Sequence, residues 1–216
     1  DGTTVHRPYP QTTVSGLTNV LQVSAGWQFT CARISDGTVW CWGLNGVGRL
    51  GDGTTTDSSV PVQVLNVSGA VHIAAGTQHA CAVLSSGHVS CWGSNAYGQL
   101  GDSTTTSRPS PVEVSGLADA VEVAAGAEHT CARRTDGTAV CWGLGNKGQL
   151  GTGNFGNALT PVSVAGLSGI LELRASHRTT CARTGDSALW CWGLNQNGQI
   201  GDGTITNQSV PTRVLP

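Results

Sequence analysis

Apolar and polar residues alternate in short runs along the whole chain. AVHIAAG (70–76) and AVEVAAG (120–126) alternate small or β-branched residues with polar ones and stop at glycine, the pattern of strands with one buried face. HACAVL (79–84) and HVSCWG (88–93) follow, split by a Ser-Gly turn. Asp36-Gly37 and Asp136-Gly137 hold the same place in the first and third stretches and are hairpin signals. After each CWG comes a Gly-rich loop, as in NGVGRLGDGTTTD (45–57), and then a short Pro-led run such as PVQV (61–64). No stretch keeps a helical period over a useful length.

Placed fifty residues apart, these stretches align without a gap. GWQFTCARISDGTVWCWGLNGVGRLGDGTTT (26–56) lies over GTQHACAVLSSGHVSCWGSNAYGQLGDSTTT (76–106), and two further copies follow from 126 and 176. Cys31, Cys81, Cys131 and Cys181 share one column; Cys41, Cys91, Cys141 and Cys191 share another; so do Pro61, Pro111, Pro161 and Pro211. A gapless period of 50 over four copies is a repeat architecture. Four short strands per copy predict an all-β chain, a β-propeller of four blades, each a four-stranded antiparallel sheet. The domain organisation expected is a tail (1–10) and one repeat domain (11–216), with repeats 11–60, 61–110, 111–160 and 161–210 and a closing strand at 211–216.

The run GxxHxCA…DGxVxCWGxNxxGQLGDGT resembles the repeat of the regulator-of-chromosome-condensation family, in its cysteine-containing secreted form, over about residues 11–216. The resemblance implies a β-propeller whose blades run from an inner strand (20–24) through a hairpin (29–34, 38–43) to an outer Pro-led strand (61–64). Family members usually carry seven blades, whereas this chain has four repeats. By the same count PTRV (211–214) completes the fourth blade, yet QTTVSGL (11–17) also matches an outer strand, so one strand is surplus. It would compete with PTRV, add to the exposed edge of another molecule, or be the tail of a further blade.

Each copy holds two cysteines ten apart around its turn. If that loop has three residues with Gly left-handed, Cys31 faces Cys41 across the hairpin, close enough for a disulfide. Bridges 31–41, 81–91, 131–141 and 181–191 are therefore expected, with free thiols or metal ligation as the alternatives. A zinc site would show CxxC or a Cys/His cluster, and neither occurs. Disulfides imply a secreted or cell-surface, extracytoplasmic protein.

Composition removes other classes. Charged residues are 11% and the net charge is -2, with one lysine, which leaves no electrostatic footprint for nucleic acid. No apolar stretch is long enough to insert in a membrane. A nearly neutral surface rich in Thr, Ser and Gly is weakly protected against self-association. With no Met, Asp1 is read as a processed end or a chain boundary, with no signal peptide left to read.

The remaining candidates are weighed by repetition. Trp42, Trp92, Trp142 and Trp192 recur in one column and are expected to pack between blades. Trp27, Trp40 and Trp190 stand in columns that other copies fill differently and are more open to binding. His79 and His129 share a column with Phe29 and Thr179, so they read as hydrogen-bonded core residues. The loops 51–57 and 101–107 offer too few carboxylates for calcium, and Gly and Asp there read as turn formers. No GxSxG elbow or similar catalytic motif exists. Asn66 and Asn207 begin glycosylation sequons. Variation between copies falls at Trp27/Thr77/Ala127/His177, at tips that include Tyr97 and Lys147, and at Phe155, which interrupts the third polar loop. A constant framework with variable tips is how a repeat protein presents a binding surface.

The resemblance implies roles ranging from nucleotide exchange on a small GTPase and chromatin binding to ubiquitin ligation, light sensing and inhibition of secreted hydrolases. There is no wedge-forming insertion and no basic tail, and only GWQFT (26–30) is similar to the Trp-rich light-sensing motif. The expectation is a non-catalytic extracellular protein-interaction module with no cofactor, no catalytic residue and no metal. Its candidate binding residues are Trp27, Tyr97, Lys147, Phe155 and His177. The partner expected is a protein or identical subunits, with a self-assembling filament or surface layer and a glycan-binding propeller as alternatives.

Overall fold

A computed structural model describes residues 2–5, 14 and 16–215. Blade 1 is β1 (Val20–Ala25), β2 (Phe29–Ile34), β3 (Val39–Gly43) and β4 (Ser58–Gln63). Blade 2 is β5 (Ala70–Ala75), β6 (His79–Leu84), β7 (Val89–Gly93) and β8 (Arg108–Glu113). Blade 3 is β9 (Ala120–Ala125), β10 (His129–Arg134), β11 (Ala139–Gly143) and β12 (Ala158–Ser163). Blade 4 is β13 (Ile170–Ser176), β14 (Thr179–Thr184), β15 (Leu189–Gly193) and β16 (Gln208–Arg213). Each blade is a separate antiparallel sheet in sequential order, and no helix occurs among the described residues. The surplus strand expected at 11–17 falls largely on positions outside the described residues.

The central hairpin of each blade closes through a three-residue loop. In blade 1 the Ile34 amide bonds the Thr38 carbonyl, and Gly37 supplies the left-handed residue at φ 79°. That loop length puts Cys31 opposite Cys41, in a pair whose Cα atoms are 4.1 Å apart and joined by a disulfide. The other three hairpins repeat this, with bridges 81–91, 131–141 and 181–191, so no cysteine is free.

Hydrophobic burial lies between blades. One core joins Cys31, Val39, Leu50 and Val64 of blade 1 to Ala70, Ile73, Ala82 and Trp92 of blade 2, and equivalent cores join blades 2 and 3 and blades 3 and 4. At each junction the tryptophan of the following blade is fully buried. The indoles of Trp92, Trp142 and Trp192 donate to the carbonyls of Arg49, Gln99 and Gln149 at 3.0, 2.9 and 3.0 Å. A second pin varies between junctions. The Thr130 hydroxyl gives its one proton to the Gln99 carbonyl (2.8 Å), so the His79 ring must donate to it through Nε2 at 2.9 Å. His129 and Thr180 repeat this one junction on, at 2.8 Å. At the first junction the matching residues are Phe29 and Ala80, both apolar and buried.

The ring at this position explains a glycine. A Cβ on Gly76 or Gly126 would overlap the His79 or His129 ring, and one on Gly26 would lie 2.2 Å from Phe29. Where Thr179 replaces the ring, Ser176 replaces the glycine.

No fourth core joins blade 4 to blade 1 among the described residues. The four blades form an open arc, whose inner strands bound a cavity of about 380 Å³.

Candidate binding face

Strands β1 and β3 run toward one end of the arc and β2 and β4 leave it. The β1–β2 turns and the long β3–β4 loops of every blade therefore share a face, and the tight hairpin turns lie on the other. The Leu44 amide bonds the Gln28 carbonyl at 2.8 Å, tying loop to turn, and blades 3 and 4 repeat this with Leu144–Glu128 and Leu194–Arg178.

A buried asparagine organises each long loop of blades 1, 2 and 4. Asn95 donates through Nδ2 to Asp102 Oδ1 (3.0 Å) and to the carbonyls of Thr104 (3.0 Å) and Thr106 (3.1 Å), while its Oδ1 accepts from the Leu100 amide at 3.0 Å. Asn45 and Asn195 occupy the same centre, at zero exposure. The aspartates thus serve the loop itself. Burial opposes ionisation of Asp102, but bonds from Thr104, Asn95 and Arg108 outweigh it and hold the carboxyl below its ordinary value. Blade 3 carries Gly145 instead, packed so closely on the Gly156 carbonyl that a Cβ would overlap it. Among the described residues no group of three or more His, Cys, Asp or Glu could hold a metal ion.

All five candidate binding residues lie on this face. Trp27 and His177 bound one cavity of about 210 Å³ at the mouth of the arc, with Thr77 between them, and both are exposed. Beside them Arg49 donates to the Trp27 carbonyl (3.3 Å), and Arg178 pairs with Glu128 at 3.2 Å. Tyr97 and Lys147 stand at loop tips, their amides held by Gln99 Oε1 (2.9 Å) and Gln149 Oε1 (2.8 Å), outside that cavity. Phe155 is more than half exposed on the blade-3 loop. Ile205 occupies the same column in blade 4 and is the most exposed large apolar residue described, a neighbour that sequence reasoning passed over.

Other candidates lie elsewhere. Trp40 donates to the Thr38 hydroxyl near the hairpin turn, and Trp190 lines a cavity on the hairpin-turn face. His79 and His129 are fully buried, and burial pushes them down to about 4 and about 3, so both are neutral at physiological pH. Of the two sequon residues, Asn66 is exposed, whereas the Asn207 carboxamide accepts from the Asn195 amide at 2.9 Å.

Along the inner strands runs a polar ladder. Gln22 reaches the His72 ring at 3.3 Å and the Ile73 carbonyl, and Glu122 is held by Arg133 (2.9 Å) and Arg174 (2.6 Å). Burial lowers the His72 pKa, with Glu122 opposing and Arg174, Arg33 and Arg133 adding.

This architecture defines a class: a repeat β-propeller of disulfide-closed blades with its long loops on one face. The RCC1-like domain family is matched over residues 3–216, and the chain belongs to that family. In sequence it is 44% identical to the Ultraviolet-B receptor UVR8 of Arabidopsis thaliana over 45 residues, 21% of this chain and 10% of that protein. In structure it overlays human WBSCR16 with a TM-score of 0.82 at 25% identity, covering 91% of this chain and 53% of that one. It overlays yeast RCC1 (Prp20), solved with Kap60, at 0.77 and 26% identity, covering 91% and 49%. A further Prp20p structure from Saccharomyces cerevisiae, described with its binding to Gsp1p and histones, gives 0.76 at 27% identity, covering 91% and 50%. The chain thus spans about half the length of these solved relatives.

Proposed function

We propose that this chain is an extracellular, non-catalytic protein-interaction propeller that meets its partner through the long-loop face. The observation that carries the reading is the gathering of the long-loop tips, with the exposed side chains of Trp27, Phe155 and Ile205, on one face of a rigid repeated framework. Exposed aromatic and aliphatic anchors on a rigid rim are how a flat surface gains affinity. The named partners of yeast RCC1, which are Kap60, Gsp1p and histones, are proteins, in keeping with a protein-binding role. The extracellular placement rests on four disulfides that use all eight cysteines. The non-catalytic reading rests on the buried histidines, each spent on a threonine hydroxyl that itself bonds a main-chain carbonyl.

A photo-crosslinker at Tyr97, compared with one at Ser168 on the opposite face, tests this in the extracellular fraction of the source. A partner captured from 97, absent from 168 and lost with Trp27→Ala plus Phe155→Ser supports it. Equal capture from both faces would overturn it. Binding on a glycan array that Trp27→Ala removes would reassign the face to a sugar.

A further inference from the structure

At the hairpin-turn end of each junction, the link leaving one blade meets the central hairpin of the next. The first two junctions fill this corner. Leu84, the last residue of β6, packs against the core joining blades 1 and 2. One junction on, Arg134 pairs with Asp119 of the link at 2.8 Å. The third junction carries Thr184 in the column of Leu84 and Arg134, and Gly169 in the column of Asp119. A cavity of about 400 Å³ lies here, bounded by Leu167, Ser168 and Gly169 of the link, by Thr184 and Asp186 of the hairpin, and by Trp190. Trp190 packs against the core joining blades 3 and 4, so the cavity belongs to a junction with a blade on both sides.

The indole on this wall is short of a partner. In blade 1 the Trp40 Nε1 donates to the Thr38 hydroxyl at 3.1 Å, and that hydroxyl donates to Asp36 at 2.8 Å. Blade 4 has Ala188 in place of Thr38, and the Trp190 Nε1 is buried with no hydrogen-bond partner. A buried N–H left unpaired costs stability, so it marks a place where an acceptor is missing. Asp186 keeps the turn role of Asp36, its Oδ1 accepting from the Thr184 hydroxyl and the Ala188 amide. Those two bonds hold its carboxyl below the ordinary value. Its Oδ2 accepts no hydrogen bond among the described residues.

One cavity thus carries a group that only donates and a group that only accepts, with no lysine, arginine or histidine on its wall. An anion finds no cation to pair with. An ammonium group suits Asp186 but gives the indole N–H nothing to bond. A hydroxyl both accepts and donates, so a ring that bears several hydroxyls satisfies both groups at once. The volume falls within the roughly 300–1,000 Å³ of small-ligand sites and leaves room for a single sugar ring.

We propose that this cavity between blades 3 and 4 is a carbohydrate-binding site. One hydroxyl of the sugar accepts from Trp190 Nε1 and another donates to Asp186. The site lies on the face opposite the long loops and is independent of the protein-interaction reading.

Saturation-transfer difference NMR on the 216-residue chain tests the idea. The probes are the methyl glycosides of glucose, galactose, mannose and N-acetylglucosamine, with an N-acetylated dipeptide amide for comparison. At least one glycoside should bind saturably, and more tightly than the dipeptide amide. Trp190→Phe removes the N–H and keeps an aromatic ring. Ala188→Thr supplies the internal acceptor that Trp40 already has. Each should weaken binding about tenfold or more, while Trp40→Phe leaves it unchanged. Circular dichroism and a thiol assay establish that every variant is folded with its bridges intact. No glycoside bound, binding that either Trp190→Phe or Ala188→Thr retains, an equal loss with Trp40→Phe, or tighter binding of the dipeptide amide would each overturn the proposal.

Discussion

Acidification should weaken the second and third junctions through His79 and His129, a pair of pins that the first junction lacks. Burial holds His79 at about 4 and His129 at about 3, against 6.5 for an ordinary histidine. Their Nδ1 atoms have no partner, so an imidazolium there would bury an unsatisfied donor. The unfolded chain takes up protons as pH falls through 6.5 while the folded chain refuses them until about 4 or 3. Stability is therefore fully present above 6.5 and declines below it. By about pH 4.5 each histidine spans roughly two pH units of difference, worth about 2–3 kcal/mol. Carboxylates such as Asp102, held below their ordinary value, lose stabilisation in the same direction at lower pH, so a difference measurement is needed. The first junction supplies it, because His79→Phe with Thr130→Ala rebuilds the Phe29/Ala80 pair at the second. Urea unfolding followed by far-ultraviolet circular dichroism between about pH 7 and about pH 4.5 should show the double variant losing about 2 kcal/mol less than the parent. Parallel curves for the two proteins would refute the reasoning.

Three further outcomes are expected. Removing one bridge through Cys131→Ser with Cys141→Ser should cost about 2–3 kcal/mol in urea unfolding, since it frees a loop of about ten residues in the unfolded chain. Trp142→Ala should cost about 3–5 kcal/mol in urea unfolding, because its indole is wholly buried and donates to the Gln99 carbonyl of the preceding blade. Asn95→Ala should cost about 2 kcal/mol by leaving the buried Leu100 amide and the loop carbonyls unpaired, with faster hydrogen exchange across 100–107 as the local readout.

What was legible in the sequence is what depends on contacts within one copy. The hairpin, its three-residue loop and the facing of Cys31 and Cys41 involve residues within about ten positions of one another, so local rules reach them. The common face of Trp27, Tyr97, Lys147, Phe155 and His177 follows from strand alternation alone. The open arc was not legible, because closure depends on the small rotation accumulated at each junction and no single residue encodes it. The asparagine hubs were visible as CWGxN in three copies, but their bonds reach across an irregular loop with no period to reveal them. Ile205 went unseen because it is one apolar residue in a polar loop.

The histidine pins show why reading copies as columns hides information. In a column, His79 and His129 stand with Phe29 and Thr179 and resemble drift. On the diagonal, Phe29 meets Ala80, His79 meets Thr130 and His129 meets Thr180, and the exchange becomes a rule. What must be inherited intact is therefore not a blade but a match between neighbours, the first residue of the second strand in one blade with the second residue of that strand in the next. Duplicating blade 2 whole would set His79 against a second Ala80 and bury an imidazole with nothing to bond, at a cost of about 1–3 kcal/mol. Duplicating blade 3 whole avoids this, because His129 then meets a second Thr130 and the following junction keeps His129 on Thr180. Lineages of such propellers should thus lengthen by copying blades like blade 3, whose own histidine and threonine match each other, and not blades like blade 2.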